Sequence, residues 1–250
     1  MAVKLTSTRE AARTNGVKIL VYGQAGAGKT RLCATTGGRP IIISAESGLL
    51  SLRGTDIPVI EVSSIADVHE AYAYLVSPEG SVYDWVCLDS ISEIAEVVLN
   101  FEKKAAKDPR QAYGALTEQM TDLLRAFRDL PGRNVYMSAK MERTKDEHTG
   151  AVLFGPSMPG QRLGQGLPYL FDEVLCLRVE KDATTGATVR ALQTQPDFQY
   201  GAKDRSGALE AYEAPDLGAI AAKIAGGSVT TPAAPAAEPT AASAADTQGA

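Results

Sequence analysis

The sequence predicts an α/β fold in which helices flank a mostly parallel central sheet. Three observations predict it: short apolar runs rich in β-branched residues alternate with segments of helical periodicity, the first run leads into a glycine-rich loop, and the chain ends are less apolar than its middle. Strands that are apolar on both faces are typical of a parallel sheet covered on both sides. With 250 residues, 44% of them hydrophobic, the chain can bury one substantial core.

Composition divides the chain into three parts. Residues 1–15 are polar and predict a flexible N-terminal arm. Residues 226–250 are rich in alanine, proline and threonine, and they predict a disordered tail because few large apolar groups offset the entropy of ordering. Residues 16–225 are therefore expected to form one domain.

Strands and helices are expected to alternate along this domain. Apolar runs bounded by glycine or proline predict strands at residues 17–22, 40–45, 58–63, 83–88, 134–139 and 173–179. A short helix is expected to begin at Thr30, and helical periodicity predicts longer helices at residues 64–76, 91–107 and 111–130.

Charge and composition exclude several classes of function. No apolar run approaches the roughly 18 residues that a membrane span requires, so no membrane partner is expected. The three cysteines and two histidines fit neither a disulfide framework nor a zinc site, which favours the cytoplasm. A net charge of −5 gives no argument for nucleic acid, although a local basic groove stays compatible with it.

The loop after the first predicted strand fits the phosphate-binding pattern G-x-x-x-x-G-K-[S/T]. Its glycines allow backbone N–H groups to approach phosphates, the lysine brings a cation to the β- and γ-phosphates, and the threonine hydroxyl can ligate magnesium. We therefore predict that ATP with Mg²⁺ binds here, and the lack of an N-K-x-D motif favours adenine over guanine. The predicted binding residues are Gly23, Gln24, Ala25, Gly26, Ala27, Gly28, Lys29, Thr30 and Arg31.

Acidic residues that end apolar strands are candidates for the metal and for catalysis. Asp89 closes the strand at residues 83–88 and is expected to hold Mg²⁺ together with Thr30; alternatively, Asp89 or Ser90 caps the next helix. Glu46 follows the strand at residues 40–45 and is the candidate for polarising the attacking water, with a solvated loop carboxylate as the alternative. Glu93 is the weaker candidate.

These features together resemble the RecA-like ATPases, in which the catalytic glutamate follows the strand after the P-loop helix and the Walker-B strand ends in Asp-Ser. The resemblance implies a RecA-like P-loop NTPase core at residues 16–225. It also implies a γ-phosphate sensor at Ser138, with Lys140 as a competitor. Residues 203–207 are similar to the K-x-R-x-G element of hexameric replicative helicases, which implies that Lys203 and Arg205 act in trans on a neighbouring subunit's nucleotide.

Within that superfamily the chain resembles small phage-encoded, single-domain ATP-binding proteins of single-strand annealing and recombination. The segments behind this resemblance are residues 155–160 and 167–172. It implies single-stranded DNA and further copies of the chain, in a ring or filament, as partners, a single-strand-binding protein as a possible third partner, and a bacterial cytoplasm as the location. The DNA contacts are expected in a glycine-rich loop at residues 141–170, through Arg143, Lys145 and Arg162, each of which is alternatively a solvated surface cation.

Two other classes of function stay open on the sequence. One is a P-loop kinase of a small molecule, which would consume ATP only with its acceptor. The other is a nucleotide-gated DNA-binding adaptor without turnover.

Overall fold

The computed structural model describes residues 5–8, 10, 16–46, 48–147 and 149–226. Most of the predicted arm, and the predicted tail beyond Gly226, lie outside the described residues. Within them, no helix is long and apolar enough to cross a membrane.

The strands are β1 (Lys18–Gly23), β2 (Pro40–Ser44), β3 (Val59–Glu61), β4 (Trp85–Asp89), β5 (Asn134–Lys145), β6 (Val152–Ser157), β7 (Glu173–Lys181), β8 (Thr188–Gln193), β9 (Lys203–Asp204) and β10 (Tyr212–Glu213). They form one sheet in the order β10-β8-β7-β1-β5-β4-β2-β3, with β6 paired to β5 and β9 to β7. The strands from β1 to β5 pair with one another in parallel, as does β1 with β7, whereas β6, β8, β9 and β10 pair antiparallel with their neighbours.

The helices are α1 (Lys29–Leu32), α2 (Ile65–Val76), α3 (Ile91–Ala105), α4 (Pro109–Arg128), α5 (Gln161–Gly166) and α6 (Leu217–Gly226). Alternate residues of β1 enter different cores: Leu20 and Tyr22 pack with α2, α3 and α4, whereas Ile19 and Val21 pack with α1 and α6. Helices therefore cover both faces of the sheet, and the predicted fold class, a mostly parallel α/β core flanked by helices, is the one observed.

The three longest helices begin at side-chain caps that satisfy their first N–H groups. Ser64 and Asp67 form a capping box at α2, Ser90 accepts from the Glu93 N–H at α3, and Asp108 caps α4 ahead of Pro109. The predicted starts of α2 and α3 are confirmed, and α4 begins two residues before its predicted start at residue 111.

The predicted loop at residues 141–170 is wrong. Strand β5 continues past Ala139 to Lys145 and pairs antiparallel with β6, and α5 follows. This hairpin projects beyond the parallel sheet, so its outer residues are not buried and lack the apolar pattern that marks a core strand. Strands β8, β9 and β10 were also not predicted, for a similar reason: they are short or exposed at their starts.

Candidate nucleotide-binding site

The carboxyl ends of four parallel strands bring the predicted phosphate-binding loop, Glu46, Asp89 and Lys140 to one edge of the sheet. The glycine-rich loop follows β1, Glu46 follows β2, Asp89 ends β4, and Lys140 lies in β5. Together they line a cavity of about 1080 Å³, which is large enough for a nucleotide. The loop residues at this cavity are Gly23 and residues 25–31, so of the predicted binding residues only Gln24 is not part of its wall.

Positive backbone angles shape the loop and explain two of its glycines. Gly26 has φ 75° and Gly28 has φ 110°, which L-residues with a side chain rarely adopt. Lys29 Nζ donates to the carbonyl oxygens of Gly23, at 2.8 Å, and Gln24, at 3.0 Å. Burial lowers the pKa of Lys29, and the nearby carboxylates of Asp89 and Glu46 oppose that shift.

Asp89 is buried and accepts two side-chain hydrogen bonds. Thr30 Oγ1 donates to Asp89 Oδ2 at 2.7 Å, and the Ser138 hydroxyl donates to Oδ1. The cap of α3 is Ser90, so Asp89 does not serve as the helix cap. A threonine hydroxyl beside a carboxylate is a set of hard oxygen donors that suits Mg²⁺ when phosphates and water complete the shell. Among the described residues no group of three or more acidic, histidine or cysteine side chains forms a metal site.

Glu46 is held at the cavity by the residue that follows Asp89. Ser90 Oγ donates to Glu46 Oε1 at 2.6 Å, and Ser44 Oγ donates to the Glu46 carbonyl at 2.6 Å. The end of β2 is tied to the end of β4 because the Ala45 N–H donates to the Asp89 carbonyl at 3.1 Å. Glu46 is thus a positioned carboxylate at the same wall as Lys29 and Asp89, rather than a freely solvated one.

Ser138 and Lys140 each have only some of the properties expected of a γ-phosphate sensor. Ser138 is fully buried and bonds Asp89, so it reaches the cavity only through that carboxylate. Lys140 lines the cavity itself and forms an ion pair with Glu93, which raises the pKa of Lys140. The sensor role of Ser138 stays a prediction, and Lys140 is the residue with direct access.

Lys203 and Arg205 lie at the opposite edge of the sheet from the loop. Strand β9 pairs with the first residues of β7, which are level with the start of β1. Lys203 Nζ donates to the carbonyls of Pro168, at 2.7 Å, and Phe171, and burial lowers its pKa. Arg205 forms an ion pair with Asp172 at 2.9 Å. Neither residue serves the cavity of its own chain, and their predicted action in trans stays a prediction.

The three predicted DNA contacts fall on two elements. Arg143 and Lys145 are exposed on the part of β5 that extends into the β5–β6 hairpin. Arg162 is exposed on α5, where it lines a separate depression with Arg125 of α4.

Sequence reasoning missed the part of the cavity wall formed by Leu177, Arg190 and Pro215. These residues come from β7, β8 and the segment before α6, so their approach to the loop depends on the order of strands in the sheet. A local signal that could have indicated the β7–β8 hairpin is Gly186 at the end of the short polar stretch 182–186, which is typical of a hairpin turn. In the structure Gly186 has φ 69°.

Comparison with known proteins bears on the family of the chain. No curated protein matches its sequence. Among solved structures, a KaiC-like protein from the hyperthermophilic archaeon Pyrococcus horikoshii OT3 is 14% identical, over 71% of this chain and 77% of that one, with a TM-score of 0.42. A family model described as an AAA domain, AAA_24, matches residues 15–206. That match covers most of the chain and includes the whole glycine-rich loop, Glu46 and Asp89, and the chain therefore belongs to this family of AAA domains.

Proposed function

We propose that this P-loop ATPase domain hydrolyses ATP in response to single-stranded DNA and, as a homo-oligomer, supports DNA annealing or homologous recombination. The observation that carries the ATPase part is the convergence of Lys29, Asp89 and Glu46 on one cavity beside a phosphate-binding loop. A cation, a metal-binding carboxylate and a positioned base are the groups that phosphoryl transfer to water requires.

In this proposal each of these side chains has a role. The loop N–H groups and Lys29 bind the phosphates, and Lys29 exchanges its contacts with the Gly23 and Gln24 carbonyls for phosphate oxygens. Thr30 and Asp89 are the residues that would hold Mg²⁺, which neutralises phosphate charge when bound.

Glu46 accepts a proton from the attacking water. The water oxygen bonds to the γ-phosphorus as the bond to the bridging oxygen breaks, so that ADP and phosphate form. Ser90 keeps the Glu46 carboxylate at the cavity wall during this step.

Support for single-stranded DNA comes from cations and aromatic rings at the β5–β6 hairpin. Exposed Arg143 lies directly opposite Phe154 in this hairpin, and the Phe154 and Tyr200 rings stack with centroids 4.7 Å apart. Phe198, 85% exposed, lies two residues before Tyr200. An exposed ring beside cations suits an unpaired base and the phosphate backbone, and base stacking contributes about 1–3 kcal/mol per base. Phe198 is the ring open to a base, because the Tyr200 ring is covered by Phe154 and by the Arg178 guanidinium, 3.8 Å from its centroid.

Support for self-association comes from Lys203 and Arg205. Their place at the far edge of the sheet excludes action on the nucleotide of the same chain, whereas a head-to-tail neighbour could bring them to it. In this proposal Arg205 exchanges its ion pair with Asp172 for the phosphate of the adjoining subunit.

The test is steady-state ATP hydrolysis with and without single-stranded DNA. We expect DNA to raise the rate, Lys29→Ala to abolish it, and Arg143→Ala combined with Lys145→Ala to reduce the stimulation. Arg110→Ala, which removes an exposed cation from the start of α4, is the matched control and should leave the stimulation unchanged.

Two results would contradict the proposal. A rate that ignores DNA, together with no DNA binding, would direct attention to a kinase and its small-molecule acceptor. Nucleotide-dependent DNA binding with no turnover would instead identify an adaptor.

A further inference from the structure

Arg190, on β8, reaches the phosphate-binding loop from the side opposite the predicted catalytic residues. Its Nε donates to the Ala27 carbonyl at 2.9 Å, and a Cβ placed on Gly28 would lie 3.7 Å from the same nitrogen. Leu192, two residues further along β8, packs in the same core as Ala27 and the first helix. Because alternate strand residues share a face, Arg190 projects over the face of the sheet that carries the loop.

The position of Arg190 separates it from the γ-phosphate end of the cavity. Glu46, which follows β2, and Asp89 and Lys140, which lie in β4 and β5, are on one side of β1 in the sheet, whereas β7 and β8 lie on the other side. In the proposed function the γ-phosphate is attacked near Glu46, so the cavity wall around Arg190 would face the part of the nucleotide nearer the nucleoside.

The guanidinium of Arg190 has no ion-pair partner in the part of the chain that the structure describes. Among the described residues, no carboxylate lies within 4.0 Å of its guanidinium, whereas Lys140 at the same cavity is paired with Glu93. A guanidinium has five N–H donors in a planar fork, and the contact with Ala27 occupies only Nε. The terminal nitrogens are therefore available to an anion at the loop.

We infer that Arg190 contacts the phosphates of the bound nucleotide in cis, at the end away from the γ-phosphate, while its Nε braces the loop at Ala27. This inference rests on the proposed binding of ATP and adds a cation that the glycine-rich motif does not contain. It makes the β7–β8 hairpin part of the nucleotide site.

The test measures binding, not only turnover. Arg190→Gln and Arg190→Lys are compared with the wild type for the affinity of a fluorescent ADP analogue, and ATP, ADP and inorganic tripolyphosphate are used as competitors. We expect Arg190→Gln to weaken all three competitors by about tenfold or more, because a hydrogen bond between charged groups is lost. Arg190→Lys keeps the charge without the fork, and its loss should be smaller. In turnover, KM for ATP should rise while kcat stays within about threefold.

Two controls keep the outcomes separate. Arg110→Ala should bind like the wild type, and Lys29→Ala should bind none of the competitors. If Lys29→Ala fails to weaken binding, the proposed function itself is wrong; if it weakens binding and Arg190→Gln does not, only the role of Arg190 is wrong.

Two further results would overturn the role of Arg190. A loss for ATP and ADP without a loss for tripolyphosphate would place Arg190 at the nucleoside. If thermal unfolding without nucleotide shows that affinity falls only in proportion to stability in both Arg190 variants, bracing of the loop at Ala27 accounts for the whole loss. Equal stability with weaker binding supports the phosphate contact.

Discussion

Hydroxyl groups hold both carboxylates of the site in place. Ser90 donates to Glu46, and Thr30 and Ser138 donate to Asp89. Tyr136 extends the pattern to the loop, because its hydroxyl donates to the Lys29 carbonyl at 2.8 Å. Such contacts fix a side chain before substrate binds, and the reorganisation needed during reaction is then small.

Replacement of Glu46 by glutamine tests its role as the base. The amide oxygen can still accept from Ser90, so nucleotide affinity should change by less than about threefold, but the amide cannot take a proton. We expect kcat for ATP hydrolysis to fall by about 100-fold or more, which is the range for loss of a general base. Binding of a fluorescent nucleotide and steady-state kinetics on the same preparation measure both quantities.

Glu93→Gln is the matched variant, since Glu93 lies at the same edge but pairs with Lys140. Its kcat should change far less than that of Glu46→Gln. Equal losses in the two variants would show that Glu46 has no special part in the reaction.

At the residue level, the sequence predicted which residues meet at the cavity where each of them directly follows or ends a recognisable strand. The loop pattern, Glu46 and Asp89 follow strands whose apolar runs are unbroken, and parallel strands place their ends at one edge. Arg190 could not be predicted in this way, because nothing in residues 188–193 indicates which strand lies beside β1.

At the level of elements, the parallel strands and long helices were predictable and the outer hairpins were not. Strands β1, β2 and β4 are buried along nearly their whole length, so burial imposes an apolar sequence. The outer parts of β5 and β7 and the start of β8 are exposed, and backbone pairing there leaves the side chains free to be polar. Apolar runs therefore predict only those strands, or parts of strands, that are buried.

Strand β7 begins with a buried acid that makes stability depend on pH. Glu173 is 1% exposed, its Oε2 has no hydrogen-bond partner among the described residues, and the Ser206 N–H donates to Oε1 at 3.3 Å. Burial, reinforced by neighbouring Asp204, raises the pKa of Glu173 from 4.5 to about 8. Between these values the folded state keeps a proton that the unfolded state has lost, so stability falls as pH rises through this window.

Glu173→Gln should therefore flatten the pH dependence of stability. At about pH 8 we expect the variant to be more stable than the wild type by on the order of 2 kcal/mol, and at about pH 5 the two should be similar. Urea unfolding across this range measures the difference. Glu70→Gln, an exposed substitution on α2, is the control. A parallel pH profile for Glu173→Gln and the wild type would show that the carboxyl is ionised in the fold.

On the scale of the whole molecule, the two ends of the sheet have different properties. The carboxyl ends of the strands carry the nucleotide cavity, and the opposite edge carries Lys203 and Arg205 beside Asp172. One chain thus has a site and, in the proposed oligomer, a pair of cations for the site of the next chain. A head-to-tail contact of this kind repeats into a ring or a filament.

Mixing two inactive variants tests whether the cations act between subunits. Lys29→Ala removes phosphate binding, and Arg205→Ala removes the cation expected to act in trans. Arg205→Ala breaks only an exposed ion pair with Asp172, which costs at most about 1 kcal/mol of stability. We expect each variant alone to hydrolyse ATP slowly. In a mixture, an Arg205→Ala subunit keeps an intact cavity, and a Lys29→Ala neighbour supplies Arg205 to it, so activity should rise well above the sum of the separate rates. Rates that only add, under conditions in which the subunits are shown to exchange, would mean that Arg205 acts on no neighbouring nucleotide, and its ion pair with Asp172 would then be its whole role.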